Sequence, residues 1–151
     1  MAAVVTALTI AGTAQGGSDA TLTGAESSLL TAMNQARASY GLRPLHADPR
    51  LERAARAHSS KMLRTGTFFH GAFRARIRRV GVRAPRIGEN LAWSTGSLAA
   101  ARTIVRMWLA SPEHRANLLH AGYRTVGIGA LRGTFDGRRN ALMVTTDFAG
   151  R

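Results

Sequence analysis

Apolar residues recur with helical spacing through the first two thirds of the chain, and strand-like alternation appears only near its end. Leu29, Leu30, Met33 and Ala36 form one helical stripe. Ahead of it, Thr23-Gly24-Ala25-Glu26 has the form of a capping box, in which the Thr hydroxyl and the Glu carboxylate satisfy each other's free backbone N–H. A helix is predicted from there to about Tyr40, with Gly41 ending it. Asp48-Pro49 starts a second helix by placing an N-cap before a proline at the first helical position. Leu51, Ala54, Ala55 and Met62 share its buried face, Gly66 closes it, and His58 lies on or beside that face as a packed histidine. Ile77 and Val80 anchor one further helical turn, which Gly81 and Pro85 break.

Ile87 to Trp93 reads as a short strand or a buried extended segment, with Trp93 as a core residue. Ser97 is expected to cap a third long helix carrying Leu98, Ala101, Val105, Trp108 and Leu109. Ser111-Pro112 opens a fourth, short one. The period then changes. Val126, Ile128 and Ala130 alternate with Gly127, Gly129 and Leu131, Asp136-Gly137 marks a turn, and Ala141 to Phe148 is rich in β-branched residues. These two strands predict an antiparallel hairpin. Helices first and strands late imply an α+β domain with helices packed on a small, mainly antiparallel sheet.

The 151 residues suffice for one domain with a real core. Two segments are expected: an apolar, signal-like run and flexible linker over 1–22, and a folded domain over 23–151. Residues 2–14 are all apolar or small, too few to span a bilayer, which takes about 20 residues. They resemble the apolar core of a secretion signal that has lost its basic start. There is no cysteine, which excludes disulfides and thiolate chemistry.

Charge changes the picture more. The net charge is +13, and every basic residue except Lys61 is arginine. Arginine keeps its charge at any relevant pH and offers a planar fork to phosphate or carboxylate. Such a surface is drawn to anionic polymers or an anionic envelope. Only Phe73 accompanies the basic stretch as a stacking residue, and no nucleic-acid motif is present, so no specific nucleic-acid partner is expected.

Most of the eight acids have local explanations. Glu26, Asp48 and Glu52 lie at helix starts, Asp136 in a turn and Asp19 in the linker. Glu89 has none. It stands between Gly88 and Asn90 in an apolar segment, where a buried carboxylate needs a partner. Among the five histidines, His70 and His114 are the natural candidates. Three chemistries fit such a cluster: a divalent metal such as zinc held by two imidazoles and a carboxylate, acid–base catalysis on an oriented imidazole, or a polar network that only holds loops together. No nucleophile stands out, because cysteine is absent and no serine occupies a Gly-x-Ser-x-Gly elbow.

The run Gly88-Glu89-Asn90-Leu91-Ala92-Trp93 resembles the signature of the CAP superfamily (cysteine-rich secretory proteins, antigen five, pathogenesis-related group one). The stretch Trp108 to Leu119, Gly127-Ile128-Gly129 and Thr146-Asp147-Phe148 are similar to its bacterial, SCP-like branch. The resemblance implies an α-β-α sandwich, an extracellular or envelope location, and a cleft lined by two histidines and two acids. His70, Glu89 and His114 match three of those positions. The fourth, three residues after the helix Trp, is Ser111 here, which leaves Glu113 as the nearby acid.

The resemblance favours a monomeric binding module for a lipid, peptide or glycan, kept near anionic envelope components by its arginines. The alternative is a peptidase-like hydrolase using His70, Glu89 and His114, with or without a metal. Either way Glu89 is enclosed, so Glu89→Ala should cost roughly 3–5 kcal/mol by leaving its partners unpaired. Chemical denaturation against an Asp19→Ala control measures this; equal midpoints would make Glu89 an ordinary surface acid.

Overall fold

The computed structural model describes residues 21–151, apart from the side chain of Leu98. The signal-like run and most of the linker fall within residues 1–20, outside the described residues, as does the part of Leu98 in the third helical stripe.

Helix α1 (Gly24–Ser39) begins with the expected capping box, Thr23 N–H donating to Glu26 Oε2 at 2.8 Å and Glu26 N–H to Thr23 Oγ1 at 3.3 Å. Glu26 does more than cap. It is buried, takes the Arg56 guanidinium, and accepts from the Ala130 N–H at 3.3 Å, so one carboxylate ties three elements together. Glu52, also read as a helix-start acid, is buried beside the same arginine. Helix α2 (Pro49–Thr65) starts on Asp48 and stops at Gly66, whose φ of 63° is the left-handed conformation glycine adopts without strain. A shorter helix α3 (Phe73–Arg79) turns Ile77 into the core.

The third long helix departs from expectation. Gly96–Ala99 form a 3-10 turn, Ala100 is extended at ψ 136°, and α4 (Ala101–Ala110) starts afterwards with no side-chain cap. Ser97 therefore lies within the turn and does not cap the helix. Helix α5 (Pro112–Leu118) follows Ser111 as predicted, although the Ser111 hydroxyl makes no capping bond.

The strands are β1 (His46–Ala47), β2 (Arg86–Ser94), β3 (Tyr123–Phe135) and β4 (Arg138–Gly150). They form one sheet in the order β1-β3-β4-β2, antiparallel except for the parallel β1–β3 pair. The hairpin β3–β4 turns at Asp136-Gly137, both at positive φ as its tight turn requires. The two-residue β1 carries no periodic signal and was not anticipated.

Side-chain alternation divides the molecule into three layers. On one face Val126, Ile128, Leu142, Val144 and Phe148 pack with Leu29 and Met33 of α1, Ile104 and Trp108 of α4 and Leu118 of α5. On the other face α2 and α3 bring Leu51, Met62 and Ile77 against Leu91, Met143 and Ala149. This is the expected α+β arrangement, an α-β-α sandwich. Trp93 packs on Phe135 in the second layer, ring centroids 5.0 Å apart, as a core residue.

The approach of α2 to β3 rests on two glycines. A Cβ on Gly127 would collide with the backbone of Leu51 and Glu52, and one on Gly129 with the backbone of Ala55 and Arg56. Backbone on backbone leaves nothing to rotate away. Gly127→Ala should therefore cost at least the ~1–3 kcal/mol typical of overpacking. Gly24→Ala, with nothing within 4 Å of the added carbon, should leave the thermal midpoint unchanged or slightly raised. Thermal unfolding of the two variants against the parent decides it.

Candidate functional site

Glu89 sits in the middle of β2, opposite Asp147 of β4 in the antiparallel register. Both side chains point to the α2–α3 face. Their side chains are 1% and 0% exposed, so each carboxyl is cut off from water. Into this space α3 projects Arg76. Its guanidinium pairs with Glu89 Oε2 and reaches Asp147 Oδ1 at 3.2 Å. Glu89 Oε1 accepts from His70 Nδ1–H at 2.7 Å. One carboxylate is thus held between an imidazole and a guanidinium.

His70 lies in the loop before α3, and its placement has a visible cause. Buried His58 of α2 donates from Nε2 to the Phe69 carbonyl at 2.7 Å and packs edge-on against the Phe69 ring. That bond fixes the residue before His70. Burial above all, helped by the nearby Arg76 charge, lowers the His58 pKa to about 4, so the ring stays neutral and serves as a packed donor. His70 itself is solvent-facing, its side chain 56% exposed, with Nδ1 turned inward on Glu89.

The His114 ring makes no hydrogen bond to Glu89. It lies on α5, and α5 packs on the opposite face of the sheet, where Asn90 and not Glu89 points. Its contribution to β2 is its carbonyl, which accepts from Asn90 Nδ2 at 2.9 Å. Asn117 of the same helix donates to the Glu89 carbonyl at 2.9 Å and to Asn90 Oδ1 at 3.0 Å, and Trp108 Nε1 donates to the Leu91 carbonyl at 3.0 Å. The half-buried His114 ring has its pKa lowered, first by burial and then by the charge of His70. Both histidines thus lie at the edge strand β2, near enough for the charge of His70 to act on the His114 ring, and the one hydrogen-bonded to Glu89 is His70. Glu113 is exposed at the second position of α5 and makes no contact with the cluster.

The partner of Glu89 that sequence reasoning missed is Arg76, and the second acid is Asp147. Arg76 lay in a run of arginines that reads as a solvated face. Asp147 carried the same signal as Glu89, an acid inside an apolar, β-branched strand, and the same argument would have found it.

A metal ligand set of His70, Glu89 and His114 is not assembled. Among the described residues no group of three or more His, Asp and Glu side chains is placed to hold an ion. Both Glu89 oxygens are already engaged, one of them by a permanent cation. The residues do not fit zinc in this arrangement.

Burial, the largest effect, raises the pKa of both Glu89 and Asp147 to about 7, with Arg76 acting against it. One guanidinium faces two acids, and Asp147 Oδ2 has no hydrogen-bond partner. The two acids lie opposite each other across the strands and titrate as a coupled pair around Arg76. The sign follows from linkage. Between about pH 4 and 7 the folded state holds a proton that the unfolded chain has released, so these acids reduce stability as pH rises through that window. Asp147→Asn removes one of the pair's two titrating groups. Its thermal midpoint should gain on the parent's from about pH 4 to about pH 7 and keep a constant offset above; a constant offset across the whole range would mean that Asp147 titrates normally.

Residues 30–148 match the model of the CAP family, the cysteine-rich secretory protein family. YkwD of Bacillus subtilis is 28% identical over 109 residues, 69% of this chain but only 41% of that protein, so the chain spans less than half of this relative's length. An extracellular protein of Bacillus anthracis containing an SCP domain superposes with a TM-score of 0.71 at 25% identity, over 85% of this chain and 41% of the other. An outer surface protein of Borrelia burgdorferi has the same fold, with a TM-score of 0.72 at 24% identity over 84% of this chain and 92% of the other. Among the described residues no helix is long and apolar enough to cross a membrane. By sequence across most of its length and by its three-layer fold, this chain belongs to the CAP, or cysteine-rich secretory protein, family.

Proposed function

We propose that this chain is a secreted or envelope-associated, monomeric binding module, taking a lipid, peptide or glycan beside the His70–Glu89 pair and His114. The observation that carries this reading is the pairing of Glu89. Both of its oxygens are committed to His70 and Arg76, so the acid holds the site together and is not free to attack or to abstract a proton. A cavity of about 300 Å³ opens next to it, lined by His58, Phe69, Gly71, Ala75, Arg76 and Arg79, with apolar walls and a cationic rim. Extracellular placement is supported by the Bacillus anthracis and Borrelia proteins, which are described as extracellular and outer-surface. The arginine excess suits contact with anionic envelope components.

One observation favours a second reading, a peptidase-like hydrolase. A carboxylate on Nδ1 orients the exposed His70 ring and leaves its Nε2 facing outward, the arrangement of an imidazole general base. The two readings separate by experiment. Native mass spectrometry of protein purified from its own host should show a co-purified molecule of lipid, peptide or glycan mass, and peptide, ester and glycan substrates should not turn over. Turnover that is lost in folded His70→Asn and Glu89→Gln variants would replace the binding reading with the hydrolase.

A further inference from the structure

Two cavities meet over the segment 82–85, which joins α3 to β2. The first, about 410 Å³, is flanked by Arg74 and Arg78 of α3. The second, about 810 Å³, is flanked by Arg43, Arg50, Arg124 and Arg151. Both are lined by Val82, Arg83, Ala84 and Pro85, so the two adjoin along this segment as the lobes of one basic groove, with Arg83 belonging to both. It is separate from the cavity beside Glu89, since the two share no lining residue.

The charge of this groove is nearly unopposed. Among the described residues the acid lining it is Asp48, and Arg50 already binds Asp48 at 2.8 Å. Arg124 is braced by the carbonyls of Ala121 and Tyr123, at 2.5 and 2.8 Å, which fixes its direction before any ligand arrives. Arg74 and Arg78 face outward because Arg76, between them, is drawn into the core by Glu89 and Asp147. Between the guanidinium groups the lining is small or aliphatic: Val82, Ala84, Pro85, Ala149 and Gly150.

The lining also narrows the partner. Planar guanidinium forks pair with phosphate oxygens two at a time. No aromatic residue lines the groove, so it offers no platform on which bases would stack. Among the described residues the exposed large apolar ones, Tyr40, Phe68 and Met107, lie outside it, so the groove itself offers no large apolar side chain to a bilayer. Two adjoining hollows ringed by arginines, one of them braced, suit a flexible anionic chain that bends from one into the other. We infer that this groove binds a linear phosphate polymer, a repeating phosphodiester or polyphosphate chain without bases or acyl tails.

Linear inorganic polyphosphate is the probe, titrated by calorimetry over a series of salt concentrations. The triple variant Arg43→Gln, Arg83→Gln, Arg151→Gln removes three charges from the groove. A second triple, Arg53→Gln, Arg106→Gln, Arg139→Gln, removes the same charge from exposed positions that line neither lobe. The groove triple should lose at least about tenfold in affinity, and its log K against log salt should be shallower by about 2, at ~0.7 per lost contact with a flexible chain. The second triple should change affinity less than about twofold, and Arg83→Gln alone should weaken binding several-fold. Equal losses in both triples would reduce the effect to diffuse charge and overturn the groove. So would no measurable binding by the parent near 0.15 M salt, or tighter parent binding to single-stranded DNA of matched charge or to phosphatidylglycerol vesicles.

Discussion

The guanidinium of Arg76 between Glu89 and Asp147 is the interaction on which the rest of this molecule depends. Two carboxyls face each other across neighbouring strands in a space without water, and neither could ionise there without a cation. That cation comes from the middle of a seven-residue helix that makes few other contacts with the sheet. Anchoring it fixes the rotation of α3. Arg76 points in, so Arg74 and Arg78 point out, and the loop that carries His70 is closed against β2. The polar cluster and the outer arginine groove are two results of one helix orientation.

Much of the fold was legible because it is written locally. Thr23 with Glu26, Asp48 with Pro49, Gly66 at a helix end and Asp136-Gly137 at a hairpin are short-range instructions whose physics needs no tertiary context. The parts that were not legible are long-range. Strand β1 is two residues long and exists only because β3 passes beside it. The break at Ala100 overrides the helical spacing that made Ser97 look like a cap. Glu26 and Glu52 have sound local explanations as helix-start acids, which concealed that both are buried against Arg56.

The candidate site was half legible for the same reason. An acid without local cause, Glu89, and an exposed histidine, His70, do meet. His114 meets β2 through its carbonyl on the Asn90 side, because adjacent side chains on a strand face opposite layers and α5 packs there. The family resemblance brought both histidines to the same strand but carried no information on which face each approaches. Arg76 was hidden among its neighbours, since a run of arginines on a short helix looks identical whether all are solvated or one is turned inward.

Among the described residues, strand β2 is the last strand of the sheet, with β4 on one side and no strand on the other. Two of its outward carbonyls, at its centre, are nonetheless occupied: Glu89 and Leu91 each accept a hydrogen bond from a side chain, Asn117 and Trp108 respectively. An incoming extended peptide would find those acceptors already taken and would have to displace an indole and an amide to add to the sheet. The indole and amide thus act as a hem along the border of the sheet, and they shield it from the edge-to-edge growth to which exposed strands are prone.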